Sequence, residues 1–296
     1  MIPASVDIAI VGGGLAGAAL ACALGNLNLR VALIEAQPLF LNGGLQWPEL
    51  NDGIEGFDAR VSALTESSRL WLEQLGAWQH VAARRISAYS EMEVWDGEGT
   101  GAIHFSAEQV NQPALGHIVE NGLLQTALLH TLQTHRNVQI LSPARVAHFE
   151  HRDAADKKQI AILFDGLIDN RKELLCDLLI GADGATSRVR EFAGIETREW
   201  DYGHTAIVCT VATEKSHGAT ARQIFRREGP LALLPLRTAN GDENFCSIVW
   251  STLREEAEAG RVPCLRAGTR LLFDLEALRR LLLERAAQAG GEVRRG

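Results

Sequence analysis

The chain has 296 residues, of which 46% are hydrophobic, a composition typical of a soluble globular protein. This length is sufficient for one large domain or for two smaller domains with a substantial core. The formal net charge of -8 argues against nucleic acid or an anionic membrane surface as the main partner, because either would normally show as a basic face.

The cysteines and the amino-terminal sequence limit the protein class further. The five cysteines form no CxxC pair and no ligand cluster with the nine histidines, so we predict reduced, packed thiols and no metal site. The first residues lack the basic region and the cleavage site of a secretory signal, and no apolar run reaches the roughly 18 residues of a membrane span. The predicted location is the cytoplasm, with at most peripheral membrane contact.

The amino-terminal half begins with a predicted βαβ unit. "VDIAIV" predicts a strand, the segment from Leu15 to Leu24 a helix, and "LRVALIE" a second strand. A Gly-, Asn- and Pro-rich stretch over residues 37–58 predicts a long surface loop. "TESSRLWLEQLGAW" predicts a helix that stops near Gly76, and "YSEMEVWDGEGTGAIHF" predicts a β-hairpin around a Gly-rich turn.

The remaining elements predict an α/β fold followed by a second sheet. "NGLLQTALLHTLQTH" predicts an amphipathic helix, "LLCDLLIGADG" a strand that enters a glycine turn, and "ATSRVREFAG" another helix. From Trp200 the pattern changes to strands, which indicates a separate and mainly antiparallel sheet. We therefore expect a nucleotide-binding domain with inserted strands over residues 1–199, the second sheet over 200–251, and a divergent helical tail over 252–296.

The first glycine turn carries the most specific chemical signal. Gly12, Gly14 and Gly17 fit G-x-G-x-x-G between a strand and a helix, and Glu35 ends the next strand. In this pattern the first glycine permits the tight turn, the second lets the backbone approach a pyrophosphate, and the third lets the helix pack closely on the strand. The acid then accepts hydrogen bonds from ribose hydroxyls. The pattern predicts a dinucleotide site, and a glycine turn without a ligand is the alternative.

Further sequence motifs indicate which class of dinucleotide-binding protein this chain resembles. "DARVSALTESS" and "GADGATSRVR" resemble the FAD-dependent aromatic hydroxylases built like para-hydroxybenzoate hydroxylase. Together with "YSEMEVWD", "VEN" and "GPLALLPL", in family order from Val6 to about Ser251, they resemble the ubiquinone-biosynthesis hydroxylases within that class. The resemblance implies a Rossmann-like FAD-binding domain with a β-sheet substrate domain.

The resemblance also implies roles for single residues. The FAD pyrophosphate would lie against the glycine turn, Glu35 would hold the adenosine ribose, and Arg60 would lie beside the phosphates or the flavin. Asn121 would reach the ribityl chain, Val146 would offer a backbone contact to adenine, and Asp183 would serve FAD and the incoming nicotinamide. The cofactor-binding residues implied are Gly12, Gly14, Ala16, Gly17, Glu35, Arg60, Asn121, Val146 and Asp183.

Several of these residues have an ordinary structural interpretation. Arg60 is also consistent with a surface arginine paired with Asp58, Asn121 with a helix cap, and Asp183 with a turn residue before a glycine. The tryptophans Trp95, Trp200 and Trp250 are expected to pack in the core or the sheet. No histidine has the spacing of a triad or a metal ligand, so no catalytic residue is assigned.

One sequence motif that is typical of this class is not found in the chain. Members of this class normally carry a later Gly-Asp followed by Ala-Ala-His near the flavin ring, whereas Gly241-Asp242 leads into a strand. After Ser251 the Leu/Arg-rich sequence no longer resembles the family, so we expect either a truncated chain or a replaced tail. The arginine-rich stretch from Arg270 predicts an amphipathic helix.

The activity implied by the resemblance is hydroxylation of an aromatic ring. NAD(P)H would reduce the FAD, and O2 would supply the oxygen atom to a polyprenylated phenol or quinol of ubiquinone biosynthesis. The resemblance also implies other ubiquinone-biosynthesis proteins as partners. Two alternatives remain open: a non-catalytic FAD-binding remnant or scaffold for partner hydroxylases, and a flavin-dependent reductase or oxidase, since nucleotide motifs are shared across flavoproteins.

Overall fold

The computed structural model describes residues 4–40, 44–154, 157–168, 171–258, 264–267 and 270–273. The strands of these ranges are β1 (Ser5–Val11), β2 (Val31–Ile34), β3 (Val61–Thr65), β4 (Ser87–Tyr89), β5 (Glu91–Asp96), β6 (Ala102–Ser106), β7 (Gly116–Glu120), β8 (Val138–Leu141), β9 (Val146–Ala154), β10 (Lys157–Ile168), β11 (Arg171–Gly181), β12 (His204–Ala212), β13 (Thr220–Arg226), β14 (Gly229–Leu236), β15 (Phe245–Leu253), β16 (Cys264–Ala267) and β17 (Arg270–Phe273). The helices are α1 (Leu15–Leu24), α2 (Glu66–Gln74), α3 (Trp78–Ala82), α4 (Asn121–Leu132), α5 (Arg188–Phe192) and α6 (Arg254–Glu258).

The chain divides into two compact units that alternate along the sequence. The first contains Met1–Glu49, Ser67–Arg84 and Asn121–Glu199, and the second contains Leu50–Glu66, Arg85–Glu120 and Trp200–Gly296. Leu50–Glu66 and Arg85–Glu120 belong to the second unit because their strands pair there: β5 lies beside β13 in parallel, and β3 and β4 flank β7. The strands expected as insertions in the first domain are therefore part of the second unit's sheets.

The first unit is built on a six-stranded sheet with the order β8-β2-β1-β11-β10-β9. Strand β1 pairs in parallel with β2 and β11, and β2 pairs in parallel with β8. The apolar strands pack into one core that includes Val6, Ile34, Ile162 and Leu174. The β1-α1-β2 arrangement confirms the predicted βαβ unit.

Helix α1 packs closely because its buried face consists of small side chains. Ala18 and Ala21 are fully buried, and Cys22 donates to the backbone carbonyl of Leu128 in α4 at 3.4 Å. Helix α4 is itself largely buried, with Leu123, Leu124 and Leu128 among its inward residues. Small residues on α1 let the two helices approach each other at the edge where β1 ends.

The second unit contains the predicted second sheet. Its strand order is β12-β15-β14-β13-β5-β6, and every neighbouring pair is antiparallel except β13 with β5. The core of this sheet includes Ile207, Leu231, Ile248 and Trp250. Trp250 is paired with Ile207 on one side and with Leu231 on the other. The sheet confirms the expected antiparallel character, and β5 with β6 confirms the predicted hairpin.

Two expectations need correction. The stretch from Arg270 was predicted to be helical, but Arg270–Phe273 forms β17 and pairs antiparallel with β16. A short apolar run does not separate a strand from a helix by its pattern alone, which explains the error. The rest of that predicted helix, residues 274–296, lies outside the described residues. Trp200 was expected to pack in the core or the sheet, but its side chain is 67% exposed.

Candidate functional site

The glycine turn between β1 and α1 contains two glycines that the backbone itself requires. Gly12 has a φ of +111°, and a Cβ atom there would lie 2.2 Å from the carbonyl oxygen of Ala182. A Cβ atom on Gly17 would lie 1.9 Å from the carbonyl oxygen of Gly12. Both positions exclude any side chain, so the first and third glycines serve the tight turn and the close packing of helix on strand.

Gly14 differs from these two glycines, because nothing in the chain explains its lack of a side chain. Its φ is -69°, which any residue adopts, and a Cβ atom there would meet no atom within 4 Å. It is the N-cap of α1 without a side-chain cap, and Ala16 is exposed in the first turn. The free backbone N–H groups and the open space together fit a phosphate at the start of the helix.

Glu35 follows β2 directly and holds the glycine turn. One carboxylate oxygen accepts the backbone N–H of Gly13 at 2.7 Å, and the other accepts that of Gln37 at 2.8 Å. A carboxylate has about four acceptor positions, so these two bonds leave capacity for ribose hydroxyl groups.

Gln125 is a site residue that the sequence analysis missed. Its side-chain amide donates to the carbonyl oxygen of Gly13 at 2.7 Å. Gly13 is thus held on both sides, by Glu35 at its N–H and by Gln125 at its C=O. Asn121 begins α4 and lies four residues before Gln125, hence on the same face of the helix. That i, i+4 spacing from Asn121 was the available sequence signal.

Asp183 caps helix α5 after the second glycine turn. One carboxylate oxygen accepts the backbone N–H groups of Arg188 at 2.8 Å and Val189 at 3.2 Å, and the other accepts the hydroxyl of Ser187. Ser187 in turn accepts the backbone N–H of Arg190 at 3.0 Å. Asp183 therefore has the structural role of a turn residue, as the alternative interpretation expected. The role of Asp183 toward FAD stays a prediction.

Arg188 connects the same turn to β9. Its guanidinium donates to the backbone carbonyl of Val146 at 2.5 Å and also to that of Ala147. The backbone of Val146, predicted to meet adenine, is thus held in place by Arg188. A carbonyl oxygen has two lone pairs, so this bond leaves Val146 able to accept another.

A pocket of about 240 Å³ brings four of the predicted residues together. They are Gly12, Glu35, Val146 and Asp183, with Arg145, Phe149, Thr186 and Arg188 among the other lining residues. Gly14, Ala16 and Gly17 belong to the adjoining start of α1. Arg60 is exposed and belongs to the second unit, where its backbone N–H donates to Asp58 at 3.0 Å.

The second unit has its own depression on one face of the large sheet. It has a volume of about 500 Å³ and is lined by Trp200, Asp201, Tyr202, His204, Ala206, Pro230 and Ser251. Trp200 and Tyr202 are 67% and 74% exposed, and their rings meet edge to face with centroids 6.2 Å apart. Exposed aromatic side chains beside small residues give this face an apolar character.

Burial makes four of the cysteines poor nucleophiles, because it raises the pKa of each thiol. Cys22, Cys176, Cys209 and Cys246 are free, and burial raises the pKa of the Cys22 and Cys176 thiols to about 12. Within the described ranges, no group of three or more His, Cys, Asp or Glu side chains could hold a metal ion. In the same ranges, no helix has both the length and the apolar character that crossing a membrane requires.

Comparison with known proteins decides which dinucleotide fits. Residues 5–263 match the family model described as FAD binding domain. The chain belongs to this FAD-binding family. The uncapped start of α1, the open space at Gly14 and the spare acceptor positions of Glu35 fit the pyrophosphate and ribose of FAD.

Relatives of this FAD-binding chain include named hydroxylases. It is 34% identical over 257 residues to the mitochondrial ubiquinone biosynthesis monooxygenase COQ6 of Xenopus tropicalis, covering 86% of this chain and 53% of the relative. It is 34% identical over 245 residues to 3-demethoxyubiquinol 3-hydroxylase of Escherichia coli K12, covering 82% of this chain and 56% of the relative. The chain spans about half the length of these relatives.

The fold of the FAD-binding chain also matches known structures. P. aeruginosa PqsL in complex with 2-aminobenzoylacetate aligns with a TM-score of 0.68 at 21% identity, covering 94% of this chain and 70% of PqsL. At this level of identity the match concerns the fold alone. It confirms the expected fold, that of the FAD-dependent monooxygenases built like para-hydroxybenzoate hydroxylase.

Proposed function

We propose that this chain carries the FAD-binding and sheet units of a ubiquinone-biosynthesis hydroxylase. The observation that supports the proposal most is the extent of the similarity. The FAD-binding family model runs from residue 5 to 263, and the relatives named as ubiquinone hydroxylases match more than four fifths of the chain, so the similarity extends into the second unit. A nucleotide motif alone would account for the first unit only.

The proposed reaction is hydroxylation of an aromatic ring with NAD(P)H and O2 as co-substrates. When bound, FAD supplies the redox chemistry, accepting reducing equivalents from the nicotinamide and activating O2. The reaction balances as substrate, O2, NAD(P)H and a proton giving hydroxylated product, NAD(P)+ and water.

The chain's own residues serve this reaction by binding and orientation. Glu35 and Gln125 hold Gly13 from both sides, which fixes the turn where the pyrophosphate would meet backbone N–H groups. Arg188 and Asp183 hold the opposite wall of the pocket. Holding these groups before the cofactor arrives reduces the entropy that binding would otherwise cost. The residues that we propose to contact FAD are Gly12, Gly14, Ala16, Gly17, Glu35, Arg60, Asn121, Val146 and Asp183.

The proposed substrate is a phenol or quinol with a polyprenyl tail. The names of the relatives support a ubiquinone precursor, and the apolar face beside Trp200 and Tyr202 supports a substrate with an apolar part. If the tail lies on this face, Trp200→Ala should raise KM for a long-tailed analogue more than for the same ring with a short tail. The cytoplasm, peripheral membrane contact and association with other ubiquinone-biosynthesis proteins stay predictions.

The experiment that tests the proposal measures both flavin content and product. The purified chain is expected to bind FAD with one-to-one stoichiometry and, with NADH or NADPH, to transfer one atom of ¹⁸O2 to a prenylated phenol. Gly14→Val, which should bind FAD at least about tenfold more weakly, is the matched control. NAD(P)H oxidation that yields only hydrogen peroxide would contradict the hydroxylase proposal and favour an oxidase. FAD binding without any oxidation would favour a non-catalytic FAD-binding chain.

A further inference from the structure

A buried ion pair in the second unit joins Arg85 to Glu120. Each residue is only 5% exposed. The Nε and one Nη atom of Arg85 donate to the two carboxylate oxygens of Glu120, both at 2.7 Å, in a bidentate arrangement. By contrast, the side chains of the pair Arg222 and Glu93 in the same unit are 35% and 45% exposed. Arg85 and Glu120 therefore need further polar partners to offset their removal from water.

Those further partners all come from one segment of the loop before β3. Arg85 donates to the backbone carbonyl of Asn51 at 3.2 Å and to that of Gly56, and its guanidinium lies 4.0 Å from the ring centroid of Phe57. Glu120 accepts the backbone N–H of Asp58 at 2.7 Å. The pair thus fixes the path of the chain from Asn51 to Asp58.

Arg60 lies between two points that this arrangement fixes. On one side, Glu120 holds the Asp58 backbone, and Asp58 accepts the N–H of Arg60 at 3.0 Å. On the other side, Val61 begins β3 and is paired with Glu120 across the β3-β7 ladder. Glu120 is therefore the common anchor on both sides of Arg60, and it also directly precedes Asn121.

A buried ion pair is a poor way to gain stability, since replacing one with apolar side chains is often neutral or stabilising. Its value lies in geometry, because five N–H donors in a rigid plane and two carboxylate oxygens accept only one arrangement of the backbone. Besides each other, Arg85 and Glu120 contact two carbonyl groups and one N–H group of the loop. An apolar pair would make none of these hydrogen bonds and would leave the path of the loop unspecified.

We propose that Arg85 and Glu120 are positioning residues that fix the Asn51–Arg60 segment so that Arg60 is presented to FAD. The inference rests on the proposed function, in which Arg60 contacts the cofactor. Arg85 and Glu120 themselves act through Arg60 and the loop backbone, and they do not touch the cofactor.

The decisive variant replaces the pair with apolar side chains. Arg85→Met with Glu120→Leu should lower the unfolding midpoint less than Arg85→Met alone does, because no charge is left buried without a partner. The Kd for FAD, followed by flavin fluorescence, should nevertheless rise about tenfold, the effect of losing roughly one charge-assisted contact. Glu93→Gln, which breaks the exposed pair in the same unit, should leave the Kd unchanged. A double variant that binds FAD like the unmodified chain would overturn the proposal.

A second measurement separates positioning from a general structural role. Glu120→Gln keeps the size of the side chain and should raise the Kd for FAD, but it should add nothing in an Arg60→Ala background, because residues acting through one contact are non-additive. Additive effects would show that Glu120 does not act through Arg60 and would overturn the proposal.

Hydrogen exchange tests the loop without any cofactor. In Glu120→Gln, the amides of Asp58 and Arg60 should exchange faster, while those of β14 and β15 keep their protection. Unchanged exchange at Asp58 and Arg60 would overturn the proposal. If the unmodified chain binds no FAD but this exchange result holds, the proposed function fails while the positioning of the loop stands.

Discussion

Gly13 donates its backbone N–H to the carboxylate of Glu35 at 2.7 Å, so the residue predicted to bind the ribose also braces the glycine turn. These two tasks are compatible, because the second carboxylate oxygen accepts the N–H of Gln37 and acceptor positions remain. Glu35 thereby couples the two contacts that FAD is expected to make in this unit, at its ribose and at its pyrophosphate.

Glu35→Ala should weaken FAD binding by about 1–3 kcal/mol, because the variant loses charge-assisted hydrogen bonds to the ribose and the brace on Gly13. Glu35→Gln should lose less, since the amide oxygen still accepts one N–H. Titration of flavin fluorescence measures both. An FAD dissociation constant that is the same in Glu35→Ala as in the unmodified chain would contradict the assignment.

Gly14 and Gly12 should respond to substitution in opposite ways. Gly14→Val should fold with a loss of about 1 kcal/mol or less, since φ is ordinary and the space is open. It should weaken FAD binding at least about tenfold, because the side chain occupies the space for the pyrophosphate.

Gly12→Ala is the comparison variant. It should be less stable than the unmodified chain even in the absence of FAD. Its Cβ atom would lie 2.2 Å from a backbone oxygen at a φ of +111°. Thermal unfolding and flavin content, measured on both variants, separate the two effects. If Gly14→Val purified with normal flavin content, the explanation of the second glycine would be wrong.

The first unit was predictable because its signals are local. An apolar run, small residues at helical spacing and a Gly-rich turn lie within 35 residues of sequence, and β1, α1 and β2 follow them closely. The contact of Gln125 with Gly13 was not predictable in the same way, since it joins residues 112 positions apart. Only the one-turn spacing from Asn121 pointed toward it.

The second unit was harder to predict because its pairing is long-range. The hairpin of β5 and β6 was readable from alternation, but its parallel neighbour β13 lies more than a hundred residues later. The burial of Arg85 has no signal in the local sequence, because arginine usually lies on the surface and Arg85 directly follows another arginine, Arg84. That burial depends on Glu120 and on the loop carbonyls, which no local pattern shows.

Asp183 can be tested by comparison with Ser187, because both cap α5. Each substitution by alanine should cost about 1 kcal/mol of stability through loss of capping hydrogen bonds. If Asp183 also contacts FAD as predicted, Asp183→Ala should weaken FAD binding, whereas Ser187→Ala should not. Urea unfolding and FAD titration on both variants distinguish the roles. Equal Kd values in the two variants would leave Asp183 with the capping role alone.

His217 should make the stability of the second unit depend on pH. It is 4% exposed, its Nδ1 atom accepts the backbone N–H of Ala219 at 3.0 Å, and its Nε2 atom faces the carbonyl oxygen of Leu236 at 3.0 Å. This arrangement assigns the neutral ring with its proton on Nε2. Burial lowers the pKa of His217, and Arg222 and Arg237 lower it further, against opposite effects of Leu236 and Glu243.

The sign of the pH dependence follows from the lowered pKa. Below the ordinary histidine pKa of about 6.5, the unfolded chain binds more protons than the folded chain, so folding becomes less favourable as pH falls. The stability contributed by neutral His217 is therefore fully present above that pH and is lost as pH falls through the folded pKa. A proton on Nδ1 would also break the bond from Ala219.

Urea unfolding between pH 5 and 8 measures this effect. The unfolding free energy of the unmodified chain should fall with pH below about 6.5, and His217→Gln should show a shallower slope because one titrating group is gone. Part of the slope should remain, since burial and the nearby His130 also lower the pKa of His80. The double variant His80→Gln with His217→Gln should be the flattest of the series. If the slope in His217→Gln equals that of the unmodified chain, the protonation of His217 does not change on unfolding. The neutral His217 ring with its two hydrogen bonds would then not be the source of the pH dependence.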